Sequence, residues 1–457
     1  MLVENGLFLF HRDLRIVDNT GLLALHAICE RIYPVFIFTP EQVGKSNSFK
    51  SDNAIEFMIQ SLGDLSEDIR KQGGRLLFFY GETNMILKNL IKELDIQVIG
   101  FNLDYSPYAV DRDKSVMDLC KDEGIALHCR HDYYLHTPGT IMNGSGEPYQ
   151  KFTPFYNAFP RSSIHSPVRE KQIHFVNKNI QSLRHQVKLE DMVKYENPRL
   201  NVGGGRKNAI QQLAIAKKNI ANYPKTHNLL NHKTSELSAY IKFGCISIRE
   251  VYDKFKSNRE FTRQLIWREF YANILYCFPR VLGAALKPSY NKVRWQSNSA
   301  WFKKWCDGQT GYPIVDAGMR QLNATGYMHN RARLITASFL VKTLLISWEK
   351  GEQYFAQKLV DYDPASNNGN WQWTAGSGAD SQPYFRIFNP WEQTRNYDPE
   401  CIYIYKWVPE LKGVPIEAIL SWESSWEEYK KTDYPKPMVD YKTQKELALK
   451  MYRSLFH

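Results

Sequence analysis

A change of hydrophobic period near residue 130 constrains this chain more than any other feature. Before it, the short apolar runs LFLF (7–10), YPVFIF (33–38), LLFFY (76–80), QVIGF (97–101) and IALHC (125–129) are separated by helix-length segments at 53–72, 84–94 and 107–123. Continuous apolar strands alternating with helices are covered on both faces, which predicts a doubly wound parallel α/β sheet. No G-x-G-x-x-G follows the first run, so the dinucleotide fingerprint is absent. Asp13, Asp18, Asn19 and Thr20 stand there instead. Such sheets often hold a ligand at that place, but these residue types also serve turns and helix caps, and we read them as caps. Residues 131–205 lose the pattern: Gly and Pro recur, and a Lys-rich stretch ends at Gly203-Gly204-Gly205. This reads as a long interdomain linker, and the triple Gly is no phosphate loop, since no strand precedes it and no GK[ST] follows. From 206 to 457 the spacing is helical. The expected organisation is an α/β domain over 1–130, a linker over 131–205 and an all-α domain over 206–457.

Charge follows the same division. Residues 1–130 carry 14 Lys/Arg against 19 Asp/Glu, and the remainder 45 against 29. A basic second part suggests that it alone meets a polyanion. Phe, Tyr and Trp make up 14% of the chain, and bases and flavins both stack on such rings, which favours nucleic acid over an acidic small molecule. The seven Cys include no C-x-x-C pair, so free thiols in a reducing, intracellular compartment are expected, with no metal site. No apolar run reaches membrane-spanning length, and MLVENGLFLFHRDLR places its basic residues after the apolar stretch, the wrong order for a secretory signal. The protein is expected to be cytoplasmic or nuclear, not secreted, and a monomer.

Four segments of the second part carry the chemistry. DYDPASNNGNWQW (361–373) sets Asp361 and Asp363 beside an Asn pair and two Trp. Asn and Asp are rarely buried without partners, so this cluster suggests a pocket for a large, flat, hydrogen-bonding ligand beside a stacking surface. In FTRQLIWREFY (261–271), Gln264, Trp267, Arg268 and Tyr271 share one helix face. Such a face is poor core material and suits a polar aromatic ligand, or a helix contact built on Trp and Tyr. In YMHNRARL (327–334), Asn330, Arg333 and Leu334 share a face while Arg331 points elsewhere, to a phosphate or to solvent. An inward Arg333 requires a carboxylate, and Asp361 is the candidate. TSELS (234–238) opens a helical stretch, where its hydroxyls could cap the helix or face phosphates.

These segments resemble the photolyase/cryptochrome family, most closely its class I cyclobutane pyrimidine dimer photolyases. FHRDLRI-DNT and GEPYQKFTPFYNAF echo it in the first half, and the motifs after 260 are longer and more specific. The resemblance implies a light-driven carbon–carbon lyase that repairs pyrimidine dimers in damaged DNA, using FAD active as its reduced anion, FADH⁻. It implies that Tyr223, Thr234, Ser235, Leu237 and Ser238 hold the FAD phosphate region. Phe261, Arg268 and the Arg333–Asp361 pair line the flavin, with Asp363 on its N3–H edge and Asn367 near N5. Trp371, Trp348 and Trp295 match the electron relay, with Trp371 nearest the flavin. Gln264, Trp267, Asn330 and Trp373 would form the lesion pocket, and Arg331 and Arg386 would contact the DNA backbone. An antenna chromophore, such as a folate or deazaflavin, could occupy the first domain.

Two departures stand out. The family often has Arg where this chain has Glu236, so Glu236 should point away from the pyrophosphate, and the compensating cation is open. Class I dimer photolyases usually have Glu where this chain has Gln264, so efficiency or lesion choice should differ. A (6-4) photolyase needs His at the positions of Asn330 and Leu334, which argues against that chemistry. A cryptochrome photoreceptor, including a DASH-type, single-strand-preferring member, is the rival reading. Cryptochromes often carry a C-terminal tail, and this chain ends at His457, soon after a helical YKTQKELALKMYRSLF, which favours the enzyme. A flavin electron-transfer protein that ignores DNA is a third reading, opposed by the basic second part.

Overall fold

The computed structural model describes residues 2–169, 171–177 and 184–456. Five parallel strands, β1 (Val3–Phe10), β2 (Cys29–Phe38), β3 (Leu77–Tyr80), β4 (Val98–Leu103) and β5 (Ala126–His131), lie in the order β3-β2-β1-β4-β5. In register, Leu7 stands between Tyr33 of β2 and Ile99 of β4. Strand side chains alternate between the two faces. Leu7, Leu9, Val35 and Ile37 pack against Ile86, Leu87 and Leu90 of the helix Thr83–Glu93. Phe8, Phe10, Phe36 and Phe38 join a second core with Phe57 and Leu62 of the helix Asp52–Lys71. That second core continues into the helical part through Phe243, Val251 and Phe261. Both faces are therefore dry, which is why the strands read as unbroken apolar runs. Connections leave β1 in opposite senses towards β2 and β4, so a crevice opens beyond the carboxyl ends of β1 and β4.

The segment 131–205, expected as a long interdomain linker, carries a helix and packs on both parts. The helix Phe152–Ala158 packs Phe152 and Phe155 against Phe270 of the helical part. Further on, Ile32 N–H donates to His174 O and Tyr80 N–H to His185 O, both at 2.9 Å, so the strap lies along the sheet. The part of it at 178–183 lies outside the described residues.

Of Asp13, Asp18, Asn19 and Thr20, Asn19 is the expected cap, while the others bind partners within a buried polar cluster. The Asn19 side chain caps the helix Thr20–His26 by accepting from Leu22 N–H. Asp13 accepts from His11 N–H at 2.8 Å and from the Asn102 amide at 2.6 Å. Around them lies a buried charge cluster that ties sheet to helices. Asp132 accepts from Arg15 at 2.5 Å, from Arg249 at 2.8 Å and from the Thr20 hydroxyl at 2.7 Å. Arg249 also pairs with Asp18 at 2.9 Å, and Ser247 Oγ donates to the same carboxylate. The two flanking guanidiniums hold the Asp132 carboxyl well below its usual range although burial opposes this.

Four helices of the helical part matter below: Arg259–Cys277, and Asn330–Ser338, Trp348–Lys358 and Pro364–Ala375, which line the cleft. A Cβ at Gly369 would stand 2.1 Å from the Tyr271 ring, so glycine lets the first and last of these approach closely. The expected C-terminal helix is Tyr441–Arg453. All seven cysteines are free. Among the described residues no group of His, Cys, Asp and Glu could hold a metal, and no helix is long and apolar enough to cross a membrane.

Candidate functional site

The chain breaks before Pro364 because proline excludes helix from the preceding residue. Asp363 then caps the helix Pro364–Ala375, accepting from Ser366 N–H at 3.0 Å. This cap brings Asp361, Asp363, Ser366, Asn367, Asn370 and Trp371 onto one side of a cleft. Asn330, Arg333 and Leu334 of the facing helix line the other side. The expected pair forms: Arg333 Nη2 binds both Asp361 oxygens, at 3.1 and 2.8 Å, and Ser238 Oγ donates to Asp361 at 2.6 Å. The buried Asn367 amide donates to Glu352 O at 3.0 Å. Burial pushes the Glu352 carboxyl up to about 7.

Arg331 turns away from the cleft, as its helical position requires. It donates to Asn228 at 2.7 Å, and its guanidinium lies 4.1 Å from the Tyr397 ring centre. His329 Nδ1 caps this helix by accepting from Arg331 N–H at 3.1 Å. Burial and the two neighbouring arginines lower that imidazole to about 4, so it stays neutral.

On the helix Arg259–Cys277 the four expected residues diverge. Tyr271 is buried, Trp267 and Arg268 are partly buried, and Gln264 is exposed. Arg268 Nη1 donates to Tyr133 O at 2.8 Å, and its guanidinium lies 4.0 Å from the Tyr134 ring centre. Trp267 stacks on Phe152, with ring centres 3.6 Å apart and planes 4° from parallel. Phe152 thus covers one face of Trp267 and leaves the other for stacking. Phe261 is core, against Phe255 at 4.3 Å and Tyr223 at 5.4 Å, and Leu237 is fully buried.

The TSELS hydroxyls do not cap a helix. The short helix Ser238–Lys242 has no side-chain cap, and Thr234 instead meets the Tyr327 hydroxyl at 3.2 Å. Thr234 and Ser235 line a cavity of about 220 Å³ with Tyr223, Asn222, His232 and Lys233. Glu236 adopts a left-handed backbone (φ +49°) and accepts from Asn201 at 3.2 Å. Its carboxylate is thus committed to Asn201. The cation in this lining is Lys233, which residue spacing alone does not single out.

Trp371 and Trp348 belong to one hydrophobic core, and Trp295 packs against it. Trp371 lines it and lies 4.9 Å from the Phe355 ring centre. A Cβ at Gly351 would stand 2.2 Å from Trp371 Cη2, so the indole rests on the helix that begins at Trp348. Gln296 N–H donates to Leu345 O at 2.8 Å, which holds the partly exposed Trp295 beside that helix start. Trp305, not foreseen, also reaches Trp371, at 6.2 Å. Trp373 is partly buried on the same helix, outside the cleft lining.

Arg386 is exposed and donates to Gln382 at 3.0 Å. Its carbonyl accepts from the buried Lys342 at 2.8 Å, and desolvation lowers that amine to about 7. Beside Trp267 runs a strip of arginines held on aromatic rings. Arg161 lies 4.3 Å from the Tyr156 ring centre, Arg259 Nε donates to the Tyr156 hydroxyl at 3.3 Å, and Arg263 lies 5.5 Å from the Phe152 ring centre. No carboxylate of the described residues pairs with these three.

A second cavity, about 440 Å³, opens at the crevice beyond β1 and β4. Phe10, His11, Arg12, Asp104, Tyr105 and Lys242 line it, and Tyr362 walls both this cavity and the cleft.

Comparison with known proteins gives this geometry a family. Residues 6–172 match the family described as DNA photolyase, and residues 261–454 match the FAD binding domain of DNA photolyase. The deoxyribodipyrimidine photo-lyase of Halobacterium salinarum is 35% identical, covering 98% of each chain. That of Escherichia coli is 33% identical over 97% of this chain and 98% of its own. A class III photolyase from Agrobacterium tumefaciens superposes with a TM-score of 0.92 at 32% identity, covering 100% of this chain and 98% of that one. The photolyase of Sulfolobus tokodaii, solved with two FAD molecules, gives 0.89 at 37%, covering 98% and 100%. The residues present suit a flavin: Arg333, Asp361, Asp363, Asn367 and Asn370 give the cleft a polar lining beside the Trp371 indole, and Arg268, whose charge acts on Asp363, keeps a buried Nη2 without a partner. With its sheet domain, its FAD-binding helical domain and relatives matched end to end, the chain belongs to the DNA photolyase family.

Proposed function

We propose that this protein repairs cyclobutane pyrimidine dimers in DNA under light. One observation carries the reading: Arg333–Asp361, Asp363, Asn367 and Trp371 meet in a single cleft whose wall leads through Gly351 towards Trp348 and Trp295. Bound FAD would supply the one-electron chemistry of bond cleavage. The protein's part is to bind, orient and exclude water. Arg333 and Asp361 neutralise one another against one edge of the ring, and Ser238 fixes the carboxylate. Asn367, a neutral amide held by Glu352 O, offers hydrogen bonds without an acidic proton. Thr234, Ser235, Tyr223 and Lys233 would hold the diphosphate side.

The lesion would be met by Gln264, Asn330, Trp373 and the free face of Trp267. The Gln264 amide can donate to a pyrimidine carbonyl but brings no negative charge. A crosslinked base pair stacks poorly, which lowers the cost of extrusion. Arg386, Arg331 and the strip of Arg161, Arg259 and Arg263 would take the backbone, mainly through charge. The 440 Å³ cavity would seat a second chromophore, in keeping with the relative solved with two FAD molecules.

The test is flavin-loaded protein with dimer-containing DNA, in light and in dark, with the Gln264→Glu variant as a second arm. The expected result is that dimers split only in light, and faster in the variant than in the parent chain. Intact dimers under illumination of a flavin-loaded protein would leave the photoreceptor reading in its place.

A further inference from the structure

Asp363 belongs to the helical domain, yet two of the three groups that bind its carboxylate come from the sheet domain. Ser366 N–H caps Oδ1 at 3.0 Å. The Tyr105 hydroxyl lies 3.3 Å from both oxygens. Arg12 Nη1 reaches Oδ2 at 3.4 Å, while Nε and Nη2 of the same guanidinium clamp Asp104 at 2.7 Å each. The Tyr133 ring centre, 4.5 Å from Arg12 Cζ, packs on the guanidinium. Arg12 and Tyr105 follow β1 and β4, so the crevice of the sheet sets their positions. A carboxylate offers about four acceptor sites, and three donors leave one. Asp363 lines the cleft, so the unfilled site is available there.

We propose that Arg12, together with Tyr105, is a positioning residue for the flavin: the sheet domain orients Asp363 so that its last acceptor site meets a ring N–H in the cleft. The proposal rests on reading this cleft as the FAD site. A carboxylate capping a helix N-terminus beside solvent could rotate; one forked between two domains cannot. The charged and titratable groups facing Asp363 are Arg12, Lys242, Arg268, Tyr105, Tyr134 and Tyr362. Burial alone would raise its carboxyl, but Arg12 first and Arg268 next hold it below the usual range.

A double-mutant cycle on FAD affinity tests this, by titrating the full-length apoprotein with FAD and following each variant's melting temperature. Arg12→Ala should weaken FAD binding about tenfold in the parent chain and less than about twofold when Asp363→Asn is already present. Arg12→Lys, which keeps the charge but not the fork, should fall between. Unchanged affinity in Asp363→Asn would overturn the placement of this carboxylate against the flavin. Weakened affinity in Asp363→Asn, with Arg12→Ala costing the same factor in both backgrounds, would make Arg12 a domain tether only and overturn the proposal. If Arg12→Ala does not fold, Tyr105→Phe enters the same cycle, with about threefold expected and the same additivity criterion.

Discussion

Charge is buried in two places, and they are finished differently. At the junction of sheet and helices, Arg15, Arg249, Asp18 and Asp132 bind each other, and apart from Arg15 Nε no side-chain polar atom of these four is left without a partner. On the helix Arg259–Cys277 and at the start of Asn330–Ser338, by contrast, Arg268 Nη2, Arg331 Nε and His329 Nε2 are left over. Low dielectric makes an unpaired buried group costly. The first cluster holds the molecule together; the second keeps donors without partners.

The sharpest way to break this contrast is Asp132→Ala. It strands two buried guanidiniums and should cost about 3–5 kcal/mol in denaturant unfolding, whether or not FAD is present. Since the Asp132 carboxyl is depressed in the folded state, wild type should itself lose this contribution as pH falls below about 4, and keep it above. A loss near zero would mean that the cluster is not what joins the domains. Trp371→Phe probes the other region: photoreduction of bound flavin should slow by about an order of magnitude or more, with repair by chemically reduced enzyme spared. Unchanged photoreduction would redirect attention to Trp305. Next in size, Arg263→Ala should weaken binding to damaged and undamaged DNA alike and reduce the salt slope by about one. The smallest effect belongs to Lys342→Met. The amine is depressed when folded, so its contribution is whole above the ordinary lysine range and is lost as pH falls through about 7. The variant should therefore gain about 1–2 kcal/mol on wild type at pH 6 relative to pH 9, read from paired melts.

Much of the architecture was legible from residue order because periodicity reports local faces. The apolar runs placed all five strands, and helical spacing turned Arg331 out and Arg333 in. An inward cation demanded Asp361, and the pair is seen. What escaped depends on contacts between segments remote in sequence. Nothing local in FHRDLR announces that Arg12 will reach Asp363, or that Phe152 will lie over Trp267. TSELS looked like a capping sequence, but the helix begins only at Ser238, and tertiary partners claimed the hydroxyls first. The strap after residue 131 carries Gly and Pro because it must bend around the sheet, and those residues hide a helix whose aromatic side is its reason to exist.

Gly351 has a consequence of its own. With the Trp371 indole lying where a Cβ would be, one hydrogen atom is all the side chain this position tolerates. On the proposed relay, transfer to Trp371 would fade with each ångström of separation, so even an alanine there would act as a spacer. A change that removes no aromatic group and touches no ligand should then dim photochemistry while leaving the dark protein unaltered in colour.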